Sequence, residues 1–355
     1  TSGTVNLSSA NSYTGRTFVN GAVLEVNSVN ALGTAPSAVS NNHLTLNGGT
    51  LRWTGGISTL GTRGIRLEGS GGVLEIARPD GNLIVGTGVS GTQAQIVSED
   101  VFRGDLIKTG PGTLTFMGSG AGHNGSFQGL LDIRQGSLIV MQDVGGANTG
   151  TTSILGTNRS WADGTIFRQG TNVQFFLGNG DNGGDWNIEE YMTFEGGNTF
   201  TYSGLIDVLA NISGALDGQP NLGNRRPLNL NGVTKLDGAG TTFDVGFASV
   251  LRLANTTGYL TGSADIIKDG RGQLEFRSNS PEWQGNLIIR QGTVYAANQA
   301  DVLGLGYTSG KTITLGDPER QDIAQLLIHN PDGVQNWVFE VNHDINVIHN
   351  PTQVK

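Results

Sequence analysis

The feature that most constrains this chain is that it repeats itself. Ile107-Lys108-Thr109-Gly110-Pro111-Gly112-Thr113-Leu114-Thr115-Phe116 realigns with Ile267-Lys268-Asp269-Gly270-Arg271-Gly272-Gln273-Leu274-Glu275-Phe276. A degenerate copy, with one extra residue between its Lys and first Gly, runs from Thr234 to Phe243. Downstream, Gln128 to Leu138 matches Gln284 to Val294, and Thr14 to Leu24 is a third version of that unit. The unit's tail recurs as well, in Asn30-Ala31-Leu32-Gly33 and Ala300-Asp301-Val302-Leu303-Gly304. Units this short cannot bury an apolar face alone; they must stack on one another.

The local pattern says what kind of unit stacks. Val23 to Val26, Leu44 to Leu46, Val73 to Ile76, Leu114 to Phe116 and Leu274 to Phe276 are short alternating or β-branched runs bounded by Gly or Asn, the punctuation of strands and turns. Gly accounts for 57 of 355 residues, more than twice its usual share of roughly 7%. Its residues suit corners that require positive φ. The one window with helical periodicity is Leu205 to Leu216, through Leu205, Val208, Leu209, Ile212 and Leu216. The chain is expected to be all-β: a single-stranded parallel β-helix, or β-solenoid, running continuously over 1–355. Coils of about 20 to 25 residues would give roughly 15 rungs and a rod near 70 Å at about 4.8 Å per rung. The competing all-β arrangement, a string of sandwiches, needs repeats of about 100 residues, which these short spacings disfavour. An aromatic-rich stretch at about 145–227 breaks the repeat. It is read either as an irregular coil packed by its own aromatics or as a loop excursion that contacts a ligand or neighbour.

Lys-x-Gly-x-Gly-x-Leu-x-Phe at Lys108 and Lys268, Ser-Tyr-Thr-Gly at Ser12 to Gly15, and Asn20-Gly21-Ala22-Val23-Leu24-Glu25-Val26 resemble the autotransporter-associated β-strand repeat. Leu44 to Trp53 and Arg63 to Leu67 resemble the spacer coils between such repeats. The repeat occurs in passenger domains of Gram-negative autotransporters and other large bacterial surface proteins. The resemblance implies a right-handed β-helix, exported and displayed on the cell surface in association with the outer membrane. Scarcity of cysteine, which such passengers show, fits the Cys count of 0.

Charge and composition remove other classes. Lys+Arg 21 against Asp+Glu 30 gives a net charge of −9 with no basic run, so no nucleic acid partner is expected. No stretch approaches the roughly 18 apolar residues of a membrane helix, and Pro is only 9 without a three-residue Gly period, against collagen. Thr1-Ser2-Gly3-Thr4 has neither a charged n-region nor an apolar h-region. Because the chain opens and closes within its own pattern, it is expected to be a piece of something longer.

Residues that could carry chemistry are few. His329, His343 and His349 crowd the last stretch, with His43 and His123 elsewhere. Without His-x-x-x-His spacing they read as solvated loop residues rather than ligands. Asp207, Asp237, Asp244 and Asp265 are scattered, and Glu189-Glu190 on a strand would point to opposite faces. Solvated carboxylates are therefore expected, not an acid–base dyad. Gly178 to Asp185 is faintly similar to Gly/Asp-rich calcium loops, but it is not repeated and reads as a hairpin. Trp161, Trp186, Trp283 and Trp337 could stack on sugars, although packing at coil corners is favoured. No catalytic, cofactor-binding or metal residue is assigned.

Two function classes follow. The favoured one is a non-enzymatic extracellular rod, serving as scaffold or adhesin, with a glycan or a cell-surface receptor as partner. Self-assembly through solenoid ends, into a homo-oligomer or fibre, is also expected. The alternative is a β-helical polysaccharide lyase or hydrolase, including tailspike-like depolymerases.

Overall fold

In a computed structural model, the chain is described for residues 3–86, 96–98, 103–119, 128–143, 155, 160–177, 186–204, 227–253, 258–297, 303, 310–320, 322–329 and 344–348. Every strand pairing in it is parallel. An isolated antiparallel bridge joins Asn20 to Gly48. Two sheets of eleven strands run along the stack, one from Thr4–Leu7 to Glu282–Trp283 and the other from Ile57–Thr59 to Asp344–Val347. A third face consists of a four-stranded sheet near the amino-terminal end and a six-stranded sheet beginning at Trp186–Ile188. In chain order each full coil visits the first, second and third faces and then returns to the first. This is a parallel β-helix.

The alternation of side chains explains the core. Gly49–Trp53, Gly72–Ile76 and Thr241–Val245 each alternate buried and half-buried residues, as period-2 strands with one inward face must. Equivalent positions then stack from rung to rung: Leu24 on Leu51, Leu51 on Leu74, Ile133 on Phe167, Phe167 on Phe194. The rings of Phe167 and Phe194 lie 4.8 Å apart and within 14° of parallel, close to the spacing of neighbouring strands. Most of the buried apolar side chains belong to one cluster.

The second sheet starts two coils after the first and ends two coils beyond it, so the described residues form thirteen rungs (11 + 2) that span roughly 58 Å. That is fewer than the roughly 15 coils expected from the sequence. The reason lies at the corners. Paired positions on the first face are separated by 19 residues between Thr4 and Val23, 27 between Val23 and Thr50, and 42 between Met192 and Thr234. A ladder fixes the strands but sets no limit on the loop between them, and longer loops cost little additional closure entropy.

Among the described residues the only helical element is the 3-10 turn Val29–Leu32, capped by the Ser28 hydroxyl; the window Leu205 to Leu216 lies outside them. Of the described aromatic residues in the 145–227 stretch, Trp161 and Tyr191 lie between strands, and the others sit in the ladders. Phe167, Phe175, Phe194, Phe200 and Tyr202 are all buried.

Candidate functional site

The repeat motif resolves into a buried lysine. Lys108 lies on the strand Leu106–Thr109 and is paired between Leu74 and Ile133, so an ammonium occupies an inward column of aliphatic side chains. Its side chain is fully buried. The Nζ donates to the carbonyls of Gly110 at 2.7 Å, Gly112 at 2.6 Å and Thr109 at 3.2 Å, all in its own corner. It also reaches the Gln135 carbonyl of the next coil at 2.7 Å. Lys268 repeats the arrangement, paired between Phe243 and Ile289 and donating to Asp269, Gly270 and Gln291 carbonyls. Burial pulls both ammonium groups down to about 8. Each lysine therefore clamps one coil to the next by donating to backbone carbonyls of its own corner and of the following coil.

The glycines of the motif are required by the same clamp. Gly110 and Gly270 take φ of 78° and 73°. At Gly136 a Cβ would lie 2.3 Å from the Gly112 oxygen and 2.7 Å from the Lys108 Nζ; at Gly292 it would lie 2.3 Å from the Gly270 oxygen and 2.9 Å from the Lys268 Nζ. The Lys-x-Gly-x-Gly and Gln-Gly segments, about 25 residues apart in sequence, are thus two halves of one contact. Lys235 in the degenerate copy differs: it faces outward and pairs with Asp237 at 2.7 Å.

Four of the scattered candidates turn out to be buried: His43, Glu190, Trp186 and Trp283. His43, expected in a solvated loop, lies in the strand Ser40–Asn47 and is 4% exposed. Burial first, and the neighbouring Arg63 second, hold its pKa below the ordinary histidine value. Glu190, expected at the solvated face, is also 4% exposed. Burial, with a further push from Asp163, raises it to about 9, against a weak opposing hydrogen bond from Thr165 at 3.4 Å. Asp163 instead accepts from Ser160 and Arg103. Trp186 and Trp283 are core residues, whereas Trp161 is 45% exposed and meets the Tyr191 ring edge-on at 5.1 Å. His123, His343, His349, Asp207, Trp337 and the Gly178 to Asp185 segment lie outside the described residues. His329 ends the strand Ala324–His329.

The outer surface is laced by charge ladders. Arg52 donates to Glu75 at 2.8 Å and to Glu25 at 3.4 Å, across three successive rungs. Asp132 is pushed up by burial, but Arg168 and Arg134 outweigh that and hold it below the usual carboxylate range.

A groove of about 420 Å³ opens where four successive coils turn from the second face to the third, at Phe247, Arg271, Gln291 and Asp322. Its floor is internally satisfied. Gln291 donates to Asp322 at 2.8 Å, and Arg320 pairs with Asp322 at 2.7 Å and, through one nitrogen, with both Asp269 oxygens at 2.8 Å. Asp244, beside Asp269, is raised chiefly by burial and then by that neighbour. Away from the groove, Ser160 and Thr165 each donate to a carboxylate, Asp163 at 2.9 Å and Glu190 at 3.4 Å, but among the described residues no group of three or more His, Asp or Glu side chains converges on one point. The groove has a geometry that can bind.

With this geometry in hand, known proteins add one match. The model of the passenger-associated-transport-repeat family matches residues 2–26 and 106–140. These segments hold the Asn20-Gly21 corner and the entire Lys108 clamp, including Gln135 and Gly136. The resemblance drawn from the sequence is thus to a repeat that is characteristic of autotransporter passengers. The Lys268 copy falls outside the matched residues although its clamp has the same form. No curated protein and no solved structure matches the chain.

Proposed function

We propose that this chain is a stiff, non-catalytic stretch of an exported passenger, held outside the cell as a scaffold or adhesin. The observation that carries the reading is the clamp itself. A motif matching a passenger repeat buries a lysine to lock consecutive rungs, and the two eleven-stranded ladders extend that locking along the stack. Such a chain contacts only its neighbours along one axis and so behaves as a rod. Display on a bacterial cell between an export signal and an outer-membrane translocator tests it. The expected result is a surface-exposed, protease-resistant segment that releases no oligosaccharide from uronate or neutral polysaccharides. Release of products that depends on Glu190 or Asp163 would replace this reading with an enzymatic one. Self-assembly is decided by sedimentation velocity: concentration-dependent multimers support it, and a single monomeric species at every concentration removes it.

A further inference from the structure

Among the described residues, the groove holds a cation that its surroundings do not neutralise. Arg320 is balanced by Asp269 and Asp322. Arg271, by contrast, is exposed, has no carboxylate partner among the described residues, and lies over the Phe247 ring, its Cζ 4.9 Å from the centroid. A guanidinium held on an aromatic face keeps its donor edge free and pre-oriented for a planar bidentate acceptor. The wall opposite is hydroxyl and amide. The Thr293 hydroxyl donates to the Gln325 carbonyl oxygen at 3.3 Å, which leaves the exposed Gln325 amide nitrogen without a partner among the described residues. Ile323 at the rim is 73% exposed and offers an apolar face.

We propose that this groove binds an acidic saccharide chain, with Arg271 holding a sugar carboxylate. Gln325 and Thr293 hydrogen-bond ring hydroxyls, and Ile323 packs against the C–H face of a pyranose. Three features favour a saccharide over an acidic peptide. The wall is built of groups that both donate and accept, as hydroxyls require. The apolar element is a single rim residue rather than side-chain pockets at strand spacing. The site also crosses four rungs, roughly 14 Å, which suits an extended polymer. The inference rests on the side chains of the groove and is independent of where the rod is displayed.

Calorimetric titration of the full chain tests it, with hexagalacturonate as the acidic probe, maltohexaose as the neutral one and polyglutamate as the acidic peptide. Hexagalacturonate is expected to bind best, and Arg271→Gln to weaken it about ten-fold or more. Arg271→Lys should recover only part of the loss, because it restores the charge without the fork. Phe247→Leu, which removes the support beneath the guanidinium, should also weaken binding. Unchanged thermal melts establish that these variants fold. Absence of hexagalacturonate binding at millimolar concentration, binding indifferent to Arg271→Gln, or polyglutamate binding as tightly with the same Arg271 dependence would each overturn the proposal. None of these results bears on whether the chain is a displayed rod.

Discussion

A lysine in an apolar column is the residue-scale anomaly of this molecule, and it is kept there by carbonyls rather than by a counter-ion. Replacing Lys108 with Leu restores the aliphatic ladder but takes the donor from the carbonyls of Gly110 and Gln135, while the Gly112 carbonyl keeps the Ser137 N–H. The expected loss is about 2–4 kcal/mol, because unpaired buried acceptors cost more than the added burial returns; urea titration of the variant measures it. No loss would show that the cage is not a clamp. Glu190 gives a pH signature. Its folded-state pKa, near 9, lies above the ordinary value, so the folded chain keeps a proton that the unfolded chain has released. That contribution to stability is full below about 4.5 and is lost as pH rises toward 9. Glu190→Gln should flatten the decline in melting temperature across that window. His43 acts in the opposite sense: with its pKa lowered in the fold, it costs stability as pH falls below about 6.5, where the unfolded imidazole takes up a proton more readily than the folded one. His43→Gln should therefore lessen the acid sensitivity of a thermal melt between pH 7 and 5.

At the scale of elements, the repeat is not the coil. The Lys108 motif turns the corner from the first face to the second, because Leu106–Thr109 belongs to the first sheet and Thr113–Ser119 to the second. The identical Lys268 motif turns from the second to the third, from Ile266–Asp269 to Gln273–Phe276. The related Asn20-Gly21 segment turns from the third to the first, between Thr17–Asn20 and Val23–Val26. One sequence solution thus serves all three corners, since each corner poses the same backbone problem: a positive φ at Gly21, Gly136 or Gly292 and a sharp change of strand direction. Glycine substitutions separate the two requirements. Gly136→Ala meets both a φ of 76° and the clamp atoms, and should cost about 2–4 kcal/mol. Gly170→Ala has φ of 74° but nothing within 4 Å, and should cost only about 1 kcal/mol. Equal losses in chemical denaturation would show that the clamp imposes no steric demand. Strand existence was legible from alternation and Gly punctuation, as in Val73 to Ile76.

Across the whole molecule, nearly every ladder contact joins a coil to the one before or after it, so a coil can be removed without rebuilding the rest. Val23 pairs with Thr50 and Thr50 with Val73, which makes residues 50–72 one turn of the first face. Deleting them should let Val73 take Thr50's place on Val23. The result should be a folded chain with its far-ultraviolet dichroism preserved and its length reduced by about 4.8 Å. Aggregation, or loss of cooperative melting, would show that the coils are not interchangeable. The groove belongs to this scale as well, since no single coil contains it. Phe247, Arg271, Gln291 and Asp322 are separated by 24, 20 and 31 residues along the chain (247 to 271, 271 to 291, 291 to 322).

By itself the sequence determined that the chain is all strand, that its strands stack in parallel and that its corners require glycine. These follow from period-2 alternation, from units too short to bury a face alone and from backbone angles that only one residue adopts freely. Only the tertiary structure decided how many rungs there are, which corner each motif turns, and that His43, Glu190 and the motif lysines lie inside. The groove was likewise decided there. Loop length does not fix register, and burial of a polar side chain depends on partners supplied by the next coil. The Gln135 carbonyl that receives Lys108, 27 residues away, is such a partner, and no local pattern around Lys108 announces it.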